Sequence, residues 1–174
     1  INTYRKRVFI GCSIDEKTRV QLKTLQNILP TVVGQDLIAA QSLHMTIIPP
    51  WDERTPDAVL RDFSAIDSDP VTLSFEQVVY GPNTPHDPAL IMLRAQSTPA
   101  LEKLYLQVWR ATWSRDPQKA PMPHITLMRF PAQSGLPKLP VLQKPLEITF
   151  DRVSLFEVDI DKTYPILGER ILGT

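Results

Sequence analysis

Cysteine is nearly absent from this chain. Its 174 residues include one, Cys12, so there is neither a disulfide framework nor a thiolate metal cluster, and a reducing cytoplasm is the expected setting. Glycine is scarce at 6 residues against 17 prolines, so turns lean on fixed φ angles more than on flexibility. Charge of either sign is not in excess: 19 Lys and Arg balance 19 Asp and Glu. That argues against a bulk electrostatic partner such as duplex DNA or an anionic membrane, but not against a small anion in a local pocket. No apolar run approaches the roughly 20 residues of a membrane span, and no signal-peptide pattern is visible. The length fits one domain, residues 1–174, able to bury a core, and a hydrophobic content of 43% is ordinary. Histidine is also rare, at 3 residues, and two of them sit in the same tetrapeptide pattern.

Those tetrapeptides are His44-Met45-Thr46-Ile47 and His124-Ile125-Thr126-Leu127. Each reads His, apolar, Thr, apolar. Strand side chains alternate between faces, so each motif puts an imidazole and a hydroxyl on one face and two apolar groups on the other.

Around them the pattern predicts an α+β chain. A strand is expected over 6–14. A capping box, Ser13 with Glu16, then opens a helix to about Leu29, with Val20, Leu22 and Leu25 facing inward. The first motif strand, 43–48, is closed by Pro49-Pro50, which lack ladder donors. Thr55-Pro56 and Thr98-Pro99 are helix starts. Strands are expected over 71–80, 89–95, 124–130 and 146–158, a turn over 81–88, and a last strand or hairpin over 164–172 broken at Gly168.

The chain also reads as a duplication. Strand, helix and motif strand occur twice, in lobes built around 6–48 and 89–130, with 146–172 completing the sheets. A pseudo-twofold axis would bring the two histidines face to face across a central cleft.

Two imidazoles so placed suit general acid–base catalysis, because an unperturbed histidine titrates at about 6.5. With two threonine hydroxyls beside them, they describe a site for a tetrahedral oxyanion such as phosphate. Two histidines without a neighbouring carboxylate or thiolate give too few ligands for structural zinc, so no metal and no cofactor is expected. Cys12, in an apolar strand, reads as a buried structural thiol. His86, in a Pro- and Asp-containing turn, reads as a surface residue. Arg5-Lys6-Arg7 reads as a solvated strand edge rather than a steering patch for RNA.

The paired motifs, Arg7-Val8-Phe9-Ile10 near the start and Arg129 two residues past the second motif resemble the 2H phosphoesterase superfamily, in its RNA 2′,3′-cyclic phosphodiesterase or 2′–5′ RNA ligase branch. The resemblance runs from Arg7 to about Ile171. It implies a bilobal α+β domain, two antiparallel sheets forming a cleft with helices outside. It implies His44 and His124 as catalytic residues, Thr46, Thr126 and Arg129 as phosphate-binding residues, and Phe9 and Tyr164 as base or cleft contacts. The segment Ile48-Pro49-Pro50-Trp51 departs from the Phe-Leu-Gly common in the RNA branch, and Trp51 there is either a stacking platform for a base or a packed loop aromatic.

The expected activity is metal-independent hydrolysis of a 2′,3′-cyclic phosphate on an RNA 3′ end or small nucleotide, by a monomer, with weak 2′–5′ ligation as its reverse. His124 is assigned as base and His44 as acid. The alternatives are a phosphodiesterase for 2′–5′ oligoadenylate or ADP-ribose cyclic phosphate, a nucleotide-binding module without turnover, and a protein-interaction domain.

Overall fold

A computed structural model describes residues 5–81, 87–113, 120, 122–159 and 163–174. The strands are β1 (Lys6–Ser13), β2 (Asp36–Leu37), β3 (His44–Glu53), β4 (Val71–Gly81), β5 (Leu90–Ala95), β6 (His124–Arg129), β7 (Leu146–Phe150), β8 (Arg152–Glu157) and β9 (Ile166–Ile171). The helices are α1 (Glu16–Asn27), α2 (Pro56–Asp62) and α3 (Pro99–Trp113). Every strand pairing is antiparallel.

The strand order is β7-β4-β5-β6-β3-β1-β8-β9, with β2 beside β6. That order is symmetric about its middle. Each motif strand is flanked by the strand that precedes it through a helix, β1 beside β3 and β5 beside β6. Two separate sheets were expected. Instead the two strand sets meet at Met45–Ile125 and form one curled sheet of nine strands. Both residues of that bridge are buried, as the alternation of the motifs requires.

One face of the sheet carries the core. Val8, Ile10, Cys12, Met45, Ile47, Ile91, Leu93, Ile125 and Leu127 pack there with Leu22 and Leu25 of α1, Val59 of α2, and Leu101, Leu104 and Val108 of α3. Cys12 has no exposed surface, and burial pushes its thiol up to about 12, with Asp151 acting in the same direction. Trp109 is buried. Among the described residues no helix is long and apolar enough to cross a membrane.

Local chemistry corrects several sequence expectations. The cap of α1 is Asp15, whose carboxylate accepts from the Thr18 N–H at 2.7 Å, while Ser13 remains in β1. The Thr98 hydroxyl accepts from the Leu101 N–H at 3.2 Å, as a cap should. Thr55 makes no such cap bond; its N–H and hydroxyl go to Glu53. Val20 is exposed, and Thr18 and Gln26 share the buried side of α1 instead. Gln26 donates to the carbonyls of Ile38 and Leu127, which ties α1 to the second motif strand. β3 continues through Pro49-Pro50 because the β1 register shifts between Val8 and Ile10, so neither proline has to supply a ladder donor there. Gly168 does not break β9; it lets Leu60 of α2 lie against the strand. Lys6 and Arg7 pair with Glu157 and Asp52 at 3.5 and 3.4 Å, as a solvated edge would. His86 and most of the 81–88 turn lie outside the described residues.

Candidate active site on the open face

The site is built from strand register. Antiparallel pairing at Met45–Ile125 places His44 beside Thr126 and Thr46 beside His124 on the opposite, open face. The structure therefore brings all four motif side chains together, with each histidine next to the threonine of the other lobe.

Both imidazoles are tethered in the same way. His44 Nδ1 lies 2.8 Å from the Ser42 carbonyl, and His124 Nδ1 lies 2.9 Å from the Met122 carbonyl, in each case two residues back. A carbonyl accepts only, so each Nδ1 carries the proton that it donates, and each Nε2 is left for the face.

Their surroundings differ. The His44 ring stands 4.8 Å from Phe9, 5.5 Å from Phe156 and 5.0 Å, edge-on, from Tyr164. Phe9 and Phe156 stack at 4.9 Å across their register pair. Burial among these rings pushes His44 down to about 4. The Ser42 hydrogen bond works against that shift, and the charges of Arg129 and His124 add to it. Gly11 makes this packing possible. A Cβ there would meet the Met45 carbonyl oxygen at 2.6 Å and the Phe156 ring at 3.4 Å.

Arg129 reaches the face through an irregularity. Thr126 pairs with Met92 and Met128 with Ile91, so Leu127 is an extra residue and Arg129 pairs with Leu90. Strict alternation would turn residue 129 away from Thr126. The bulge returns it to the same side, near enough to bear on the His44 charge.

The structure places the three expected aromatics differently. Tyr164 is half-buried beside His44 and open to the groove. Phe9 stands in the wall of the cleft, but at 3% exposure it has no free face for a base; it packs His44 instead. Trp51 is not brought to the histidines. It pairs with Val8, one residue from Phe9 and therefore on the opposite side of β1, where it packs on the core with its indole N–H donated to Glu53 at 2.8 Å.

Two residues escaped sequence reading. Phe156, also 3% exposed, completes the aromatic wall. It lay in an apolar stretch, where only its spacing from Ser154 marks its face. Arg94 stands directly across from His124 on β5. Its signal was a lone charge in Leu-Ile-Met-Leu-Arg-Ala. Beside the aromatic wall a cavity of about 380 Å³ is lined by Ser13, Ile166, Arg152, Glu169 and the first turn of α1. Among the described residues no three His, Cys, Asp or Glu side chains gather as a metal would need.

Known proteins share this fold. The sequence model of the 2′-5′ RNA ligase superfamily matches residues 14–162. No curated protein sequence matches the chain. Among solved structures, TT0787 of Thermus thermophilus is 22% identical, covering 95% of this chain and 97% of its own, with a TM-score of 0.73. Escherichia coli LigT complexed with 3′-AMP is 16% identical over 98% of this chain and 100% of its own, with a TM-score of 0.76. A protein described as a phosphoesterase is 16% identical over 98% and 100%, with a TM-score of 0.78. At these identities the likeness is one of fold. The match over 14–162, which takes in both His-x-Thr motifs, places the chain in the 2′-5′ RNA ligase superfamily.

Proposed function

We propose that this chain is a phosphodiesterase that opens 2′,3′-cyclic phosphates on RNA ends or nucleotides, with His44 and His124 as its acid–base pair. The observation that carries the reading is the matched tether. Two imidazoles from different lobes are each fixed at Nδ1 by the carbonyl two residues back, which leaves both Nε2 atoms for one substrate.

In this mechanism the phosphate lies over the four motif side chains. Thr46 and Thr126 donate hydroxyl hydrogens to its non-bridging oxygens, and the Arg129 guanidinium offsets the negative charge that builds on them. A water loses a proton to one histidine and its oxygen bonds to phosphorus. The bond from phosphorus to one ribose oxygen breaks, and the other histidine gives that oxygen a proton. The product is a ribose monoester. The wall around His44 favours the reverse of the order assigned from sequence. A ring that titrates at about 4 is neutral at pH 7 and ready to accept, so His44 serves as base and His124 as acid. Tyr164 offers a ring for the base. The 3′-AMP in the LigT complex supports the substrate class, being a ribonucleoside monoester of the kind this hydrolysis leaves. With an RNA 5′-hydroxyl in place of water, the same steps bond its oxygen to phosphorus, break the bond to the ribose 3′-oxygen, which takes a proton, and leave a 2′–5′ linkage, in keeping with the superfamily's name.

The test is hydrolysis of an oligoribonucleotide ending in a 2′,3′-cyclic phosphate, in EDTA, by the wild type and by His44→Ala and His124→Ala, with the product identified by phosphorus NMR. Turnover lost in both variants is expected. Turnover that survives both would remove the mechanism.

A further inference from the structure

We infer that Arg94, held by Gln77 beside His124, receives a second phosphate of the substrate, the one on the 5′ side of the reacting nucleotide, so that RNA ends are preferred to cyclic mononucleotides. The inference rests on the proposed reading of the histidines for which phosphate reacts, and on its own observations for the rest.

Register gives the placement. Gln77 pairs with Arg94, and Arg94 pairs with His124. Paired residues share a face, so all three stand on the open side in one row that continues, past the bridge, to Thr46. Leu93 and Ala95, the neighbours of Arg94 along β5, are buried on the other side. Arg94 therefore borders the reacting phosphate on the side away from the aromatic wall.

Bonding leaves the guanidinium free for an anion. Nη2 donates to Gln77 Oε1 at 2.6 Å, which uses one of its five N–H donors. Among the described residues no carboxylate lies within ion-pairing distance of Arg94. Arg7, Arg19 and Arg152 do pair with carboxylates, at 3.4, 3.5 and 2.9 Å, while Arg54, Arg61, Arg110 and Arg129 share the condition of Arg94, so its place across from His124 is what distinguishes it. Gln77 acts as a positioning residue, fixing one edge of the guanidinium so that the rest faces the groove. On the far side of the histidines the cavity wall holds four carboxylates, Asp15, Glu16, Asp151 and Glu169, against two cations, Arg19 and Arg152, an excess of negative charge that disfavours phosphate. A polyanionic strand whose last base lies toward Tyr164 therefore continues across β5.

The experiment measures binding, so it reads out with or without turnover. Affinities of 3′-UMP, uridine 3′,5′-bisphosphate and the dinucleotide UpUp are compared over a range of salt for the wild type, Arg94→Gln and Arg94→Lys. The wild type should bind the bisphosphate and UpUp about tenfold more tightly than 3′-UMP, a difference of about 1.4 kcal/mol. Arg94→Gln should erase that preference and flatten the log–log salt slope for UpUp by about 0.7, the share of one phosphate contact on a single strand. Arg94→Lys should retain the slope, because the charge remains. Equal wild-type affinities for 3′-UMP and the bisphosphate overturn the inference, and that comparison needs no variant to fold. So does a gain with UpUp alone, which would come from the second nucleoside. So does a preference and slope kept by Arg94→Gln. Absence of hydrolysis by the wild type would count against the catalytic reading and leave the binding ratios intact.

Discussion

The two lobes repeat one device and surround it differently. Each offers His-x-Thr on a strand, with the imidazole tied back to a carbonyl two residues earlier. On the neighbouring strand, the first lobe sets Gly11 and Ser13 against Thr46 and His44, and the second sets Met92 and Arg94 against Thr126 and His124. Absence of a side chain at Gly11 lets aromatic rings close on His44; a guanidinium stands beside His124 in its place. A duplicated strand supplies two equivalent imidazoles, and the strand next to it decides that the His44 ring is held neutral. The difference also gives the groove a direction, with aromatic rings at one end and cations at the other.

Removing either motif histidine is the strongest way to break the comparison. His44→Ala and His124→Ala should each lower kcat by about 10²–10⁴-fold on a cyclic phosphate end. The two losses should differ in pH. If His44 is the base, kcat/KM of the wild type keeps its acid limb down to about pH 4, where that ring takes its proton in the free enzyme. An acid limb well above pH 4 would take the base role away from His44.

The neutral state of His44 also has a cost in acid. Above pH 6.5 the ring is neutral folded or unfolded. Between pH 6.5 and about 4 the unfolded chain takes up a proton that the folded chain refuses, so stability falls across that window, by up to roughly 3 kcal/mol. The edge of the ring that meets solvent reduces this figure. His44→Phe should remove that part of the loss, and urea midpoints at pH 7 and pH 4.5 measure it.

Arg129→Gln should lower kcat/KM about tenfold or more through loss of a charge-assisted contact. It should also move the acid limb upward, because the Arg129 charge is one of the forces holding His44 down. Gly11→Ala should cost about 1–3 kcal/mol of stability. The new methyl would stand 2.6 Å from a backbone oxygen of β3, which cannot swing aside as a side chain tip can.

Much of this was legible in the sequence because strand alternation is local. The faces of His44, Thr46, His124 and Thr126 follow from spacing two residues apart, and the symmetric strand order follows from repetition of the unit. What was not legible depends on register between strands. Trp51 read as a cleft residue because it follows the first motif by a few positions. Alternation from Met45 already points residue 51 to the core side, and the two register shifts in β1–β3 cancel, so Trp51 packs as the loop aromatic of its other reading. Arg129 reaches the open face only through the bulge at Leu127, and nothing in Thr-Leu-Met-Arg announces a bulge. The cap of α1 lies at Asp15 and not Ser13 because Ser13 is still paired with His44 in β1.

The smallest change tests the aromatic end of the groove. Tyr164 meets His44 edge-on at 5.0 Å and Phe9 at 5.4 Å, so its ring is braced by the wall while remaining half open. If the base of the reacting nucleotide rests there, Tyr164→Leu removes one stacking surface, worth about 1 kcal/mol at the lower end for such contacts. KM should rise about fivefold with kcat nearly kept, and the rise should be larger for adenosine than for uridine 2′,3′-cyclic phosphate, since the larger ring stacks over more area. A fall in kcat with KM unchanged would mean that Tyr164 acts on the packing of His44 instead. The aromatic end would then tune the proton carrier without reading the base, and the two lobes would differ in chemistry alone.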